Sequence, residues 1–526
     1  MLRTYLPTRL RIFERKRLAL LLVLVFALQA TGLAAHASPL APLAATPAEK
    51  TARYLESIRA DPSLLAEFLR RMPKGTDLHN HLSGAIYAES FIEWAVRDNL
   101  CVDQETLTLS LPPCDAPGQT AASAATRNPI LYRRMIDAWS MRNWEFSGQS
   151  GHDHFFDTFG KFSAATYYHT GDMLAEVAQR SSAERINYLE LLYTPDGGRA
   201  SQIGRQVGWD EDFGRLQEKL MAAGLKDAMT IGRKALDDAE AQERAKLKCG
   251  TPEADKGCGV TIRYLYQVGR GGAPEQVFAQ ILTGFLMAGA DTRVVGLNLV
   301  QPEDWLIPMR DFSLHMRMLD YLHKLYPQVN ITLHAGELVP GLVPPEGLRF
   351  HVRESVETGH AKRIGHGVDI MQERDPIQLL QEMARLRVMV EICLTSNDAI
   401  LGVRGRQHPL AMYLKYGVPV ALATDDAGVA RSEMWREYLK AVEEQNLGYM
   451  QLKTMARTGL EYAFVGGASL WADAQKFTPV TPCAQDEPER PAPSPNCQRF
   501  LDQSERARLQ WSLEREFAEF EKQYGR

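Results

Sequence analysis

The chain has 526 residues, 45% hydrophobic and 24% charged, with a formal net charge of -5. It can bury one large core or two smaller ones. No basic block lies outside the N-terminal segment, which argues against a nucleic-acid partner but leaves a small unphosphorylated nucleoside open.

In chain order, Arg3, Arg9, Arg11, Arg15, Lys16 and Arg17 precede an apolar run from Leu18 to Leu28, and small residues follow. This is the pattern of an export signal. The run falls well short of the roughly 20 residues that span a bilayer. Cleavage after Ala37 is expected, an uncleaved anchor being the alternative. No stable membrane span remains after signal removal, and the protein is expected in the periplasm or outside the cell. The expected organisation is a signal peptide over 1–37, a linker and helical extension over 38–70, and one barrel domain over 71–526. Insertions near 101–129 and 240–260 and a C-terminal helix complete it. The extension reads as helix over 49–71.

Short apolar strands are predicted near 77–82, 187–193, 261–268, 293–300, 329–334, 362–367, 388–394 and 419–424. Each is followed by a helical pattern or by an insertion long enough to hold one; 215–247, for example, reads as helix. This alternation predicts an α/β fold, a (β/α)8 TIM barrel with an N-terminal helical extension and inserted loops. A doubly wound sheet is the rival, but no G-x-G-x-x-G follows the first strand. Residues 501–526 read as an amphipathic helix of mixed charge, covering the barrel or a partner chain. The terminal helices are thus candidates for a homodimer contact.

Seven cysteines fit an exported protein. Cys101 with Cys114, Cys249 with Cys258, and Cys483 with Cys497 can each close a short loop in an oxidising compartment. Cys393 is left over in an apolar run and reads as a buried thiol.

Ionisable residues collect at the carboxyl ends of the strands, the usual active-site face of a closed barrel. The first strand ends in His79 and His81, which alternation places on one face. The fifth ends in His334, with Glu337 in the next loop. The sixth carries His366 between glycines, the seventh ends in Ser396 and Asn397, and the eighth in Asp425 and Asp426. Three imidazoles and a carboxylate (His79, His81, His334 and Asp425) suit one divalent ion, zinc above all. A carboxylate or His366 can then orient or deprotonate a water. The middle strand "TRVVGLNLVQ" has no lysine to bridge a second metal, which favours one ion. A second histidine pair, His152 and His154, precedes a helical pattern and reads as first-turn or capping residues. His169, His315, His323, His351, His360 and His408 carry no site signal.

The segments "MPKGTDLHNHLSGA", "HAGE", "RIGHGVDI", "LTSN" and "TDDAG", in this order, resemble the adenosine deaminase family of metal-dependent amidohydrolases over about residues 70–465. The exported, extended chain is most similar to the family's secreted, growth-factor-related branch. The resemblance implies one Zn2+ per chain and hydrolytic deamination of adenosine or 2'-deoxyadenosine to inosine or 2'-deoxyinosine and ammonia. A deaminase of another adenine derivative, or a secreted non-enzymatic binding protein on this scaffold, is the alternative. By the same resemblance His79, His81, His334 and Asp425 hold the zinc, and Glu337 protonates purine N1. His366 stabilises or deprotonates the attacking water, which Asp425 also touches, and Asp426 binds purine N7. Two positions depart from the family pattern. Ser83 stands where many members have an aspartate that contacts the ribose 5'-hydroxyl. Gln301 stands where a glycine N–H commonly reaches purine N3.

Overall fold

The computed structural model describes residues 45–525. The signal, its cleavage point and the start of the linker lie outside them. Eight parallel strands form one sheet: β1 (Gly75–His81), β2 (Ile186–Tyr193), β3 (Thr261–Gly269), β4 (Val294–Val300), β5 (Asn330–Ala335), β6 (Arg363–His366), β7 (Met389–Ile392) and β8 (Val420–Leu422). They pair in sequence order. The seam between β1 and β8 is nearly closed by a bridge from Asn80 to Asp425. There Asp425 N–H donates to the His79 carbonyl (2.9 Å) and His81 N–H to the Asp425 carbonyl (3.3 Å). The fold is the expected α/β TIM barrel. Its strands are buried on both faces, which is why they read as apolar runs.

The barrel interior is not wholly apolar. Arg363 is fully buried between two carboxylates, donating to Glu190 Oε2 and Glu391 Oε1, each at 2.6 Å. Three charges satisfied this way avoid the cost of an unpaired buried ion.

Several elements differ from their sequence readings for local reasons. The helix read over 49–71 is two helices, Pro47–Ile58 and Pro62–Arg71. Asp61 ends the first turn of chain and caps the second helix, accepting from Ser63 and Leu64 N–H. The helix read over 215–247 breaks at Gly224, whose φ of 90° suits glycine, into Phe213–Ala222 and Leu225–Lys246. Ser396 and Asn397 do not end a strand: β7 stops at Ile392, and both sit in the helix Leu394–Leu401. The segment read as loop near 101–129 contains a three-stranded antiparallel sheet.

Three disulfides join Cys101 to Cys114, Cys249 to Cys258 and Cys483 to Cys497, and Cys393 is a buried free thiol. Loop closures of this length stabilise by on the order of 3 kcal/mol each. The C-terminal helix Glu505–Tyr524 packs on the N-terminal extension. Phe68 meets Phe520 (4.9 Å) and Tyr524 (5.0 Å) ring to ring, so these two apolar faces bury each other within one chain. Among the described residues no helix is long and apolar enough to cross a membrane.

Candidate metal centre and pocket

His79 and His81 project from the end of β1, where the pairing register with β2 shifts between Asp77 and Asn80. His79 Nε2 lies 3.0 Å from His334 Nε2, and His81 Nε2 lies 3.1 Å from the same atom. Asp425 Oδ1 is 3.5 Å from His79 Nε2 and 3.3 Å from His81 Nε2. All four donors lie within 4.8 Å of one another. The two other candidate clusters among the described residues, His79–His366–Cys393 and Glu337–His366–Asp425, share members with this one.

Each donor is held from behind. His79 Nδ1 donates to Glu391 Oε2 at 2.7 Å, His81 Nδ1 to Gln267 Oε1 at 3.0 Å, and His334 Nδ1 to Asn298 Oδ1 at 2.8 Å. Ser396 Oγ donates to Asp425 Oδ2 at 2.7 Å. Bonds at Nδ1 leave three Nε2 lone pairs turned inward, the arrangement typical of metal-ligating histidines. The set therefore fits a divalent cation. Burial disfavours charge on His79, yet the Asp425 and Glu391 carboxylates outweigh it and push the ring up to about 10, so that in the absence of a cation a proton on Nε2 takes the place a cation would fill. Burial and the neighbouring imidazoles hold His334 well below its usual range. One ionised carboxylate and three imidazoles converging on one small volume are a donor set that a divalent cation satisfies.

Sequence reading missed Glu391, Gln267 and Asn298. Each was nevertheless a lone polar letter near the carboxyl end of an apolar strand, in "VMVEICL", "YLYQVG" and "VVGLNLV".

Around the cluster stand three buried polar atoms without a protein partner: Glu337 Oε1, His366 Nε2 and Asp426 Oδ1. Burial, with Asp425 and Glu303 nearby, holds the Glu337 carboxyl well above its usual range, which favours its protonated form. Glu303 fixes the turn that presents it, accepting from Gly336 N–H (3.1 Å) and Glu337 N–H (2.9 Å). The two aspartates split. Burial opposes ionisation of Asp425, but the His79 and His81 rings beside it prevail and hold its carboxyl well below the usual range. Burial and the charge of Asp425 drive Asp426 up, leaving it a neutral acid. Burial likewise depresses His366, to about 3.

Three residues here hold left-handed backbone without being glycine: Gln301 (φ 89°), His366 (φ 69°) and Asp425 (φ 58°). Such strain gathers at functional sites.

A cavity of about 380 Å³ opens over the cluster, walled by His81, His334, Glu337, Asp425 and Asp426 on its floor. Ser83 and Gln301 line it, as does an aromatic wall that sequence reading did not assign: Phe155, Phe156, Phe159 and Trp305. The Gln301 side chain is folded back, its Oε1 accepting from Gly271 N–H at 2.5 Å. His152 and His154 lie in the first turn of the helix Gly151–Phe162, as expected, and not in the lining. His152 Nε2 meets Asp304 Oδ1 at 3.0 Å, and His154 Nε2 donates to the carbonyls of Asp137 and Ser140.

Fold and site together define a parallel barrel protein with a candidate His/His/His/Asp cation site at the carboxyl ends of its strands. Residues 164–469, more than half of the chain, match the family described as adenosine deaminase. The chain belongs to that family. An adenosine deaminase of Yersinia pseudotuberculosis is 33% identical over 154 residues, 29% of this chain and 43% of that protein. One of Escherichia coli is 35% identical over 137 residues, 26% of this chain and 38% of that protein. The matched stretch thus spans less than half the length of these curated relatives. An amidohydrolase structure from Burkholderia ambifaria, with bound Zn, is similar in fold at a TM-score of 0.50 and 17% identity, covering 76% of this chain and 88% of that one.

Proposed function

We propose that this protein hydrolytically deaminates an uncharged adenine derivative, a nucleoside or base, using one Zn2+ held by His79, His81, His334 and Asp425. The observation that carries this reading is the set of three unpartnered buried atoms, Glu337 Oε1, His366 Nε2 and Asp426 Oδ1, around a cation centre. A purine ring undergoing attack at C6 needs a proton donor at N1, a hydrogen bond at N7 and an oriented water. The Zn2+, when bound, supplies Lewis-acid activation of that water.

The side chains divide the remaining work. Glu337, a protonated acid, gives its proton to N1 as C6 becomes tetrahedral. Asp426, also neutral, offers its O–H to N7. Ionised Asp425 and neutral His366 orient the water between them. Asp425 accepts the proton the water loses on attack and passes it to the amine, which leaves as ammonia, while the C6 hydroxyl proton returns to Glu337 as the C6 carbonyl forms.

Adenosine and 2'-deoxyadenosine are the first substrates to try, and Ser83 and Gln301 are the residues that would meet their sugar or N3 edge. The folded-back Gln301 side chain leaves room at that edge. Among the described residues none of those lining the cavity is a lysine or arginine, which favours an uncharged ligand over a nucleotide phosphate. Three disulfides support action outside the cytoplasm and, with the extension, the secreted branch of the family.

The test is ammonia release from purified, zinc-loaded protein with adenosine, 2'-deoxyadenosine, adenine, AMP and N6-methyladenosine. Turnover of a nucleoside or base with little of AMP is expected. Fast AMP turnover would overturn the uncharged-ligand reading, and silence across the panel with zinc bound would overturn the deaminase reading.

A further inference from the structure

We infer that Asn397 and His408 act as positioning residues that lock His366 in the tautomer carrying its proton on Nε2, the atom that faces Asp425. The kinetic consequence rests on the deaminase reading; the tautomer itself does not.

The argument follows the direction of three hydrogen bonds. Leu410 N–H donates to His408 Nδ1 at 3.2 Å. A backbone N–H can only donate, so Nδ1 holds a lone pair and the His408 proton sits on Nε2. His408 Nε2 therefore donates to Asn397 Oδ1, 3.1 Å away. That bond fixes the amide: its oxygen faces His408 and its NH2 faces His366. Asn397 Nδ2 then donates to His366 Nδ1 at 3.0 Å. His366 Nδ1 is the acceptor, and the proton of its neutral ring lies on Nε2.

Turning the amide over would set its NH2 against the His408 Nε2–H and its oxygen against the His366 lone pair. Two favourable bonds would become two repulsive contacts in a dry setting, since Asn397, His366 and His408 are all buried. Burial also pulls His408 down to about 4, so it stays neutral.

The contrast with the ligands is the telling feature. His79, His81 and His334 each donate from Nδ1 and turn a bare Nε2 inward. His366 accepts at Nδ1 and turns an N–H inward, its Nε2 standing 4.0 Å from Asp425 Oδ2 without a protein partner. The relay thus excludes His366 from the ligand set and makes it a hydrogen-bond donor to whatever oxygen lies beside Asp425. Its partners come from a helix and a loop: Asn397, which the strand-end reading picked out, lies in Leu394–Leu401, and His408, which it did not, lies just before the helix Leu410–Tyr416.

The test is the ring 15N spectrum of the full zinc-loaded protein, with His366 assigned by loss of its signals in His366→Gln. A proton on Nε2 is expected in the wild type; a proton on Nδ1 overturns the inference. His408→Leu removes the donor that orients the amide. It should shift His366 toward the Nδ1–H form and lower kcat about 10–100-fold, the usual scale for outer partners of a metal site, with KM little changed. His408→Gln, which can still donate to Asn397 Oδ1, should restore both readouts. A His408→Leu protein with the wild-type tautomer and kcat overturns the relay. The wild-type spectrum decides the tautomer even if a variant fails to fold. Failure of the deaminase reading shows separately, as absent ammonia release with the expected spectrum.

Discussion

The floor and the outer wall of the cavity are built on opposite principles. On the floor every metal-facing side chain comes from or just after a barrel strand, is buried or nearly so, and has its other polar atom tied to a named partner. The wall is made of aromatic rings from the helix Gly151–Phe162 and the loop after β4, and Trp305 is 46% exposed. On the proposed reading, the difference assigns chemistry and ligand choice to separate parts of the chain. Rigid strand ends fix donors to within tenths of an ångström, whereas a helix and a loop can vary without disturbing them.

That division can be broken most sharply at Glu337. Glu337→Gln removes the proton donor but no metal donor, so kcat should fall about 10²–10⁴-fold with zinc content unchanged, read by turnover and metal analysis. Loss of zinc would show that floor chemistry and metal binding are not separable there. Glu391→Gln should act the other way, weakening zinc affinity about 10–100-fold in a chelator competition while leaving the wall untouched.

Gly84 packs against the floor. A Cβ there would lie 1.4 Å from Asp426 Oδ1, so Gly84→Ala must displace that carboxyl. A fall in kcat/KM of roughly tenfold or more, the cost of one strong hydrogen bond, is expected with zinc retained. On the wall itself Phe156→Ala and Trp305→Ala should raise KM about tenfold, as loss of a stacked ring does, with kcat within about twofold. A kcat loss equal to that of Glu337→Gln would erase the proposed distinction.

The smallest effect concerns how the wall is held. His152, on the wall helix, pairs with Asp304, next to Trp305. Burial disfavours its charge, but Asp304 and Asp153 outweigh it and raise the ring to about 9. A raised histidine contributes stability fully below its unfolded value near 6.5 and loses it as pH rises through about 9. The melting-temperature gap between wild type and Asp304→Asn should therefore be widest near pH 6, on the order of a degree or two, and close above pH 9. A gap that widens with pH would reverse the sign and remove the pair as its cause.

Much of the floor was legible in the sequence, for a physical reason. Parallel strands buried on both faces leave apolar runs, and an ionisable residue ending such a run has few structural uses. His79, His81, His334 and Asp425 stood out on that ground. Their supports were harder to see, because Glu391 or Asn298 within an apolar run gives no hint of which face it takes or what it meets. The aromatic wall was illegible, since Phe156 and Phe159 at helical spacing look like ordinary core until the helix is known to lie across the strand ends. Gln301 was read as a departure from the family pattern, and it lines the cavity. Its tie to Gly271 depends on the loop after the neighbouring strand β3 and could not be read.

Asp425 is at once a metal-facing donor and the residue whose backbone stitches β8 to β1. A cation gripping side chains on both sides of that seam binds only the closed barrel. It should therefore add about 2.7 kcal/mol to folding at a hundredfold excess over its Kd. Chelation should be felt first as faster amide exchange at His81 and Asp425, before the rest of the barrel loosens. On the proposed reading, metal supply would then govern how tightly the cylinder is shut as well as whether it can react.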